Sequence, residues 1–261
     1  MMAPYRLGSH KTHAARLAVL LLALSVLAAG GLIKAAFGAD AAAAEAAHSA
    51  FDGIWRNAGI GRRPPGSPGL CCSEEGWQDF ASKLKPWAMQ EMVRRDAALQ
   101  IGKQLPTNSA TCKPDGTPTV IDIPYAFEFV RTPTHTYILY EADNQSRRIR
   151  MNSVHPAKLK PTWYGDSIGS WDGDTLVVDT IGLNAQGQIN WDGIPHTTAL
   201  RVVERYTVTK PGAMELQMTL TDPGTLTSPW TVIKHFHRLT ETQLYEYVCA
   251  QNNRDLSVPT E

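Results

Sequence analysis

The residues in this chain best placed to do chemistry are ionisable side chains that fall on the apolar face of a strand. Glu204 is the clearest. In LRVVERYTV it shares the parity of Leu200, Val202, Tyr206 and Val208, and alternate residues of a strand point to one face. A carboxylate on such a face must find a cation or hydrogen-bond donors, or else its pKa rises. The first outcome is a structural ion pair with an arginine of a neighbouring strand, and the second makes a general acid or base. His196, in DGIPHTTAL, lies just before that strand, where a loop at the mouth of a barrel can bring it beside Glu204. His155, in NSVHPAKLKPTWYG, lies in another loop. Two histidines and a carboxylate can complete a metal site or act as an acid and a base on a small organic molecule. Three unrelated loop and strand residues is the plain alternative.

Other polar residues extend the candidate set. Arg205 and Tyr206 flank the polar end that Glu204 would form. Arg148 and Arg150 share parity in SRRIRM and can clamp an anionic ligand. Glu141 and Asp143 share the parity of Tyr137 and Leu139, so a carboxylate row facing Arg147, Arg148 and Arg150 would form a buried network. His235 and His237 are two apart in KHFHRL, the spacing of a strand-borne ligand pair, and with Lys234 and Arg238 they read equally as a solvated basic strand. Trp163, Trp171, Trp191 and Trp230 lie near loop ends, where some can line an apolar pocket and the rest are core. No glycine-rich phosphate loop follows a strand, and neither GxSxG nor HExxH occurs. No cofactor and no metal is expected.

These residues need elements to position them. From about residue 119 the hydrophobic period is two: Met214, Leu216, Met218 and Leu220 alternate with Glu215, Gln217 and Thr219. YAFEFVR, TYILYEAD, TLVVDT, LRVVERYTV, WTVIKHFHRL and QLYEYVCA read as further strands. Asp172-Gly173, Pro211-Gly212 and Pro223-Gly224 are turn signals, so SIGSWDGDTLVVDT is expected to form a hairpin. About eight antiparallel strands in sequence suggest an up-and-down β-barrel over residues 106–261, because closure removes the sheet edges. A β-sandwich is the alternative. Residues 71–105 predict one or two helices as a cap, the second starting at Pro86, and residues 40–70 read as a linker.

Arg6, Lys11 and Arg16 precede an uncharged run from Leu17 to Ile33, the order of an export signal, so residues 1–39 are expected to be a signal peptide or an N-terminal membrane anchor. Roughly 215 residues then remain outside the cytoplasm, enough for one sizeable core. Lys plus Arg and Asp plus Glu both number 25, so no net field favours nucleic acid. Four cysteines in an exported chain argue for disulfides. A Cys112–Cys249 bond would tie the two ends of the β region together, while Cys71 and Cys72 can pair with each other only under strain.

The series CKPDGTP, PYAFEFVRTPTHTYILYEADNQSRRIRM, HPAKLKPTWYGDSIGSWDGDTLVVDTIGLN, PHTTALRVVERY and SPWTVIKHF resembles a broad set of exported bacterial proteins. The likeness runs from Cys112 to about residue 250, with residues 40–105 outside it. It implies a lipocalin-like, calycin-type β domain and brings no activity with it. Three functions follow as expectations. The first is a barrel holding a small hydrophobic or aromatic ligand, with His155, Trp163, Trp171, Arg148, Arg205 and Tyr206 around it. The second is a cofactor-independent lyase, isomerase or hydratase using Glu204 and His196 for proton transfer. The third is an accessory subunit of a membrane complex, attached through residues 17–33.

Overall fold

Among the described residues nine strands form, most of them where apolar and polar side chains alternate: β1 (Gly53–Asn57), β2 (Phe127–Arg131), β3 (His135–Tyr140), β4 (Ser146–Met151), β5 (Asp166–Asp172), β6 (Thr175–Ile181), β7 (Arg201–Lys210), β8 (Ala213–Thr221) and β9 (Trp230–Leu239). The computed structural model describes residues 44–58, 74–103, 105–190 and 192–249. The chain divides into residues 1–49, of which 44–49 are helical, and a unit of residues 50–261. Within the second unit the strands close into one barrel in the order of the sequence, with β9 returning to β1.

The barrel is mixed, and this corrects the expected eight antiparallel strands. A ring in which neighbours strictly alternate in direction must contain an even number of strands. Nine strands therefore require a parallel pair, and it is β4 with β5, where Ile149 lies opposite Ser167 and Met151 opposite Gly169. Parallel neighbours need a crossover, so residues 152–165 carry the chain back along the outside of the wall to the end where β5 starts. The ninth strand is β1, GIWRN, which lies inside the stretch expected to be linker and pairs with both β2 and β9. Its five residues are too few for a periodicity signal. QLYEYVCA, in contrast, forms no strand. That segment runs past the β3–β4 turn, where Asn144 Nδ2 donates to Tyr247 O at 2.6 Å and Tyr245 N donates to Glu141 Oε2 at 3.1 Å.

The two ends of the barrel differ. At the hairpin end the connections are short: Asp172 pairs with Thr175 across Gly173, whose φ of +59° suits glycine, and Lys210 pairs with Ala213. The expected hairpin over residues 167–180 is present. At the loop end, residues 182–200 join β6 to β7 and residues 222–229 join β8 to β9. There a 3-10 turn, Thr119–Asp122, sets Val120 and Ile121 into the core, and Asp122 pairs with the inward-facing Lys234 of β9. Helices α1 (Glu74–Lys83) and α2 (Pro86–Gln100) cover this end, the second starting at Pro86 as expected. Phe80 packs on Trp230 with ring centroids 4.4 Å apart, and Lys85 N donates to Thr225 O at 2.8 Å. Cys112 and Cys249 form the expected disulfide, with Cα atoms 5.7 Å apart. Cys71, Cys72, Trp191 and the expected signal or anchor lie outside the described residues. No helix among the described residues is long and apolar enough to cross a membrane.

Candidate functional site

Alternation on β7 turns Val202, Glu204 and Tyr206 into the barrel and leaves Arg201, Val203 and Arg205 outside. Glu204, 1% exposed, meets the equally buried Arg147 of β4 across the interior. Arg147 Nη1 donates to Glu204 Oε1 at 2.9 Å and Nη2 to Oε2 at 2.5 Å, a bidentate pair. The remaining guanidinium donors reach Ser167 Oγ of β5 at 3.0 Å and Thr180 Oγ1 of β6 at 2.6 Å, and those two hydroxyls bond each other at 2.9 Å. Tyr206 Oη donates to Glu204 Oε1 at 2.7 Å. Strands β4 to β7 therefore each contribute to one polar centre inside an apolar barrel.

Burial pushes both phenols near this centre up, Tyr140 to about 12 and Tyr206 well above its ordinary value, so both are neutral across the physiological range. Burial alone would lower Arg147, but the Glu204 carboxylate outweighs it and holds the guanidinium pKa above its ordinary value. Both Glu204 oxygens already accept from protein donors, so its charge is neutralised in place. The structural ion pair is the form the residues take, and Arg147 is its cation. The parity of Ile149 was the signal for Arg147, since residues 147 and 149 share the inner face. The Tyr140 hydroxyl has no acceptor for its proton, and the Arg147 guanidinium lies close enough to act on its oxygen.

The interior around this centre is filled. A void able to hold water leaves accessible area on the side chains that line it. Phe129, Ile138, Ile149, Leu176, Val178, Val202, Tyr206, Leu216, Met218 and Phe236 are each 1% exposed or less.

The other candidates separate. Arg148 points outward with Ser146, because Ile149 takes the inner parity. Arg205 also faces out and pairs with Asp172 at 2.7 Å. The expected carboxylate row does not form: Glu141 sits in the β3–β4 turn, Arg147 pairs with Glu204, and Arg150 pairs with Asp166 at 2.8 Å. His155, in the crossover, lies on the outer wall between Asp166 (Nδ1 to Oδ2, 2.7 Å) and Asp179 (Nε2 to Oδ2, 3.6 Å). Trp163 follows Thr162, which bridges to Leu183 at the loop end, whereas Trp171 lies next to last in β5 at the hairpin end against Phe51, 5.2 Å between ring centroids. They cannot line one pocket. His235 faces outward and is exposed, and His237 shares its parity, while Phe236 between them and Lys234 before them turn in.

His196 does not join Glu204. It is 3% exposed in the β6–β7 loop, and its Nδ1 bonds the carbonyl of Thr197 at 2.8 Å. The charged group acting on it is Asp222, and burial holds its pKa below the ordinary value. Around Asp222 the loops are fastened: Thr197 N and Oγ1 donate to its two oxygens at 2.7 and 2.6 Å, Gly224 N at 3.0 Å and Thr225 Oγ1 at 2.7 Å. Burial would raise the Asp222 pKa, but these donors hold it below the ordinary carboxylate value. No group of three His, Cys, Asp or Glu residues arranged to hold a metal occurs among the described residues. An open surface cleft of about 270 Å³ lies beside this loop, lined by Lys85, Asp222, Leu226 and Pro229. No protein-family model matches the chain, and no curated protein matches it.

Proposed function

We propose that this chain is an exported, non-catalytic docking protein: a solid barrel that carries helix α2 and presents it to a protein partner in the cell envelope. The observation that carries this reading is where the apolar surface lies. Of nine exposed large hydrophobic residues among the described residues, four (Trp87, Val93, Leu99 and Ile101) fall within the 15 residues from 87 to 101. Val93 and Ala97 stand four residues apart on one exposed helical face, and Ile101 continues that row at the C-cap. Trp87 is pinned by its indole N–H to Gly224 O at 2.9 Å, so its ring is presented in a fixed pose. Fixed aromatic and aliphatic anchors are what the centre of an interface needs. A filled interior with a neutralised carboxylate supports the same reading, because it leaves neither room nor a free base inside the wall.

The test is recovery of the tagged full-length chain from its own envelope in mild detergent, beside the double variant Val93→Glu, Ile101→Glu. A partner is expected with the native chain and absent with the variant, at unchanged melting temperature. A monomeric, partner-free native chain would overturn the reading.

A second reading has its own observation. Tyr140 Oη is a buried donor without an acceptor beside a guanidinium, and such a group is costly to leave unpaired. A small apolar molecule carrying a carbonyl or phenol oxygen would satisfy it once the packed interior opens to admit it. Native mass spectrometry of the envelope-purified chain would then show a retained ligand, lost in Tyr140→Phe.

A further inference from the structure

The loop end contains a histidine held in one protonation state. Thr197 O can only accept, so the His196 nitrogen bonded to it, Nδ1, carries the proton. The other nitrogen, Nε2, is buried and has no hydrogen-bond partner. It abuts the backbone of its own loop so closely that a Cβ built on Gly187 would lie 2.6 Å from it. Residue 187 is therefore glycine because the imidazole fills the place of a side chain. A proton on Nε2 creates a buried N–H donor aimed at a Cα with no acceptor to receive it. The following residue, Thr197, is the point at which this loop is fastened to Asp222 of the β8–β9 loop.

We infer that His196 is an acid-sensitive latch, whose protonation at Nε2 frees residues 182–200 from the loop end of the barrel. The charged group acting on the ring from the neighbouring loop is Asp222, which favours the imidazolium, and from its own loop Gly187 and the Thr197 carbonyl lie against it. Burial opposes the charge and is the larger effect, so the folded pKa lies below the unfolded value of about 6.5. The sign follows. The unfolded or detached loop takes up the proton first, so the closed loop is fully stable above about pH 6.5 and loses stability as pH falls below it. The Asp222 contribution is lost only at lower pH, because its folded pKa is depressed below 3.8.

Site-resolved hydrogen exchange on the full chain between pH 7.5 and 5.0, corrected for intrinsic rates, tests the latch. The reporters are the amides of Ile189, which donates to Ile194 O at 2.7 Å, and of Thr197. Their protection is expected to fall at pH 5.0 by about tenfold for each unit of pKa depression, while amides of β7 and β8 hold theirs. His196→Asn, which keeps a neutral donor for Thr197 O, is expected to remove the pH dependence. If that variant fails to fold, the native chain decides alone: loss confined to residues 182–200 and 222–226 supports the latch. Unchanged loop protection, loss spread evenly over the barrel strands, or an unaltered pH profile in His196→Asn would overturn it.

Discussion

Two arginine–carboxylate systems lie on the same run of strands in this barrel, one inside the wall and one outside. Inside, Arg147 and Glu204 are 2% and 1% exposed and rely on Ser167, Thr180 and Tyr206 to fill their remaining valences. Outside, Arg150, Asp166, His155, Asp179 and Arg201 form a belt across β4, β5, β6 and β7 with water at its edge. The inner pair has surrendered its hydration, so the completeness of its bonding decides whether the core tolerates it. The outer belt keeps part of its hydration, its side chains being 16–56% exposed, so water screens its contacts more than those of the inner pair. What the belt contributes is position: His155 is the crossover residue in it, so it fastens residues 152–165 beside the parallel β4–β5 pairing that this connection makes possible. The same chemistry is thus a constraint on the interior and a fastening on the exterior.

That contrast is open to direct attack. The largest effect is expected for Glu204→Leu alone, which strands the Arg147 guanidinium and should cost about 3–5 kcal/mol in chemical denaturation. The double variant Arg147→Met, Glu204→Leu removes both charges and is expected to recover most of that loss or exceed native stability. If the single and double variants are equally destabilised, the pair does not behave as a buried unit. Cys112→Ser with Cys249→Ser releases a link spanning 137 residues and is expected to cost about 2–5 kcal/mol, read as a lower melting temperature.

Asp179→Asn comes next, at about 1 kcal/mol or less, because Arg201 is more than half exposed. Burial would raise the Asp179 pKa, but Arg201 and then His155 hold it down, so this contribution is present above about pH 3.8 and lost as pH falls further. Acid titration of native and variant stability should therefore converge below that value. Asp172→Asn, which breaks the exposed pair with Arg205 at the hairpin end, is expected to change nothing beyond a few tenths of a kcal/mol. A loss there as large as that of Glu204→Leu would erase the distinction between wall and interior.

How far the chain could be read depended on local pattern. Strands with clean alternation, such as β7 and β8, declared both their existence and their inward face, and Glu204 and Tyr206 were legible for that reason. β4 was harder, because in SRRIRM three arginines fall on both faces and only Ile149 and Met151 mark the inner one, and Arg148 read as plausibly as Arg147. β1 carried almost no signal, since GIWRN becomes a strand only between the partners β2 and β9 supply. QLYEYVCA failed in the opposite sense. Its alternation resembles a strand, yet both edges of the sheet it would join are already closed against each other.

The amino-acid sequence by itself determined a β-rich domain, its main strands, the helix start at Pro86, the hairpin at Gly173 and an acidic side chain facing inward. Each follows from periodicity or backbone preference within a few residues. Tertiary structure alone decided that the ring has nine strands with one parallel pair, that Arg147 meets Glu204, and that His196 is buried in the loop that Thr197 fastens to Asp222. Those outcomes depend on closure of the sheet and on desolvation at contacts distant in sequence, or, for His196, between separate loops. Neither leaves a mark on the local pattern of residues.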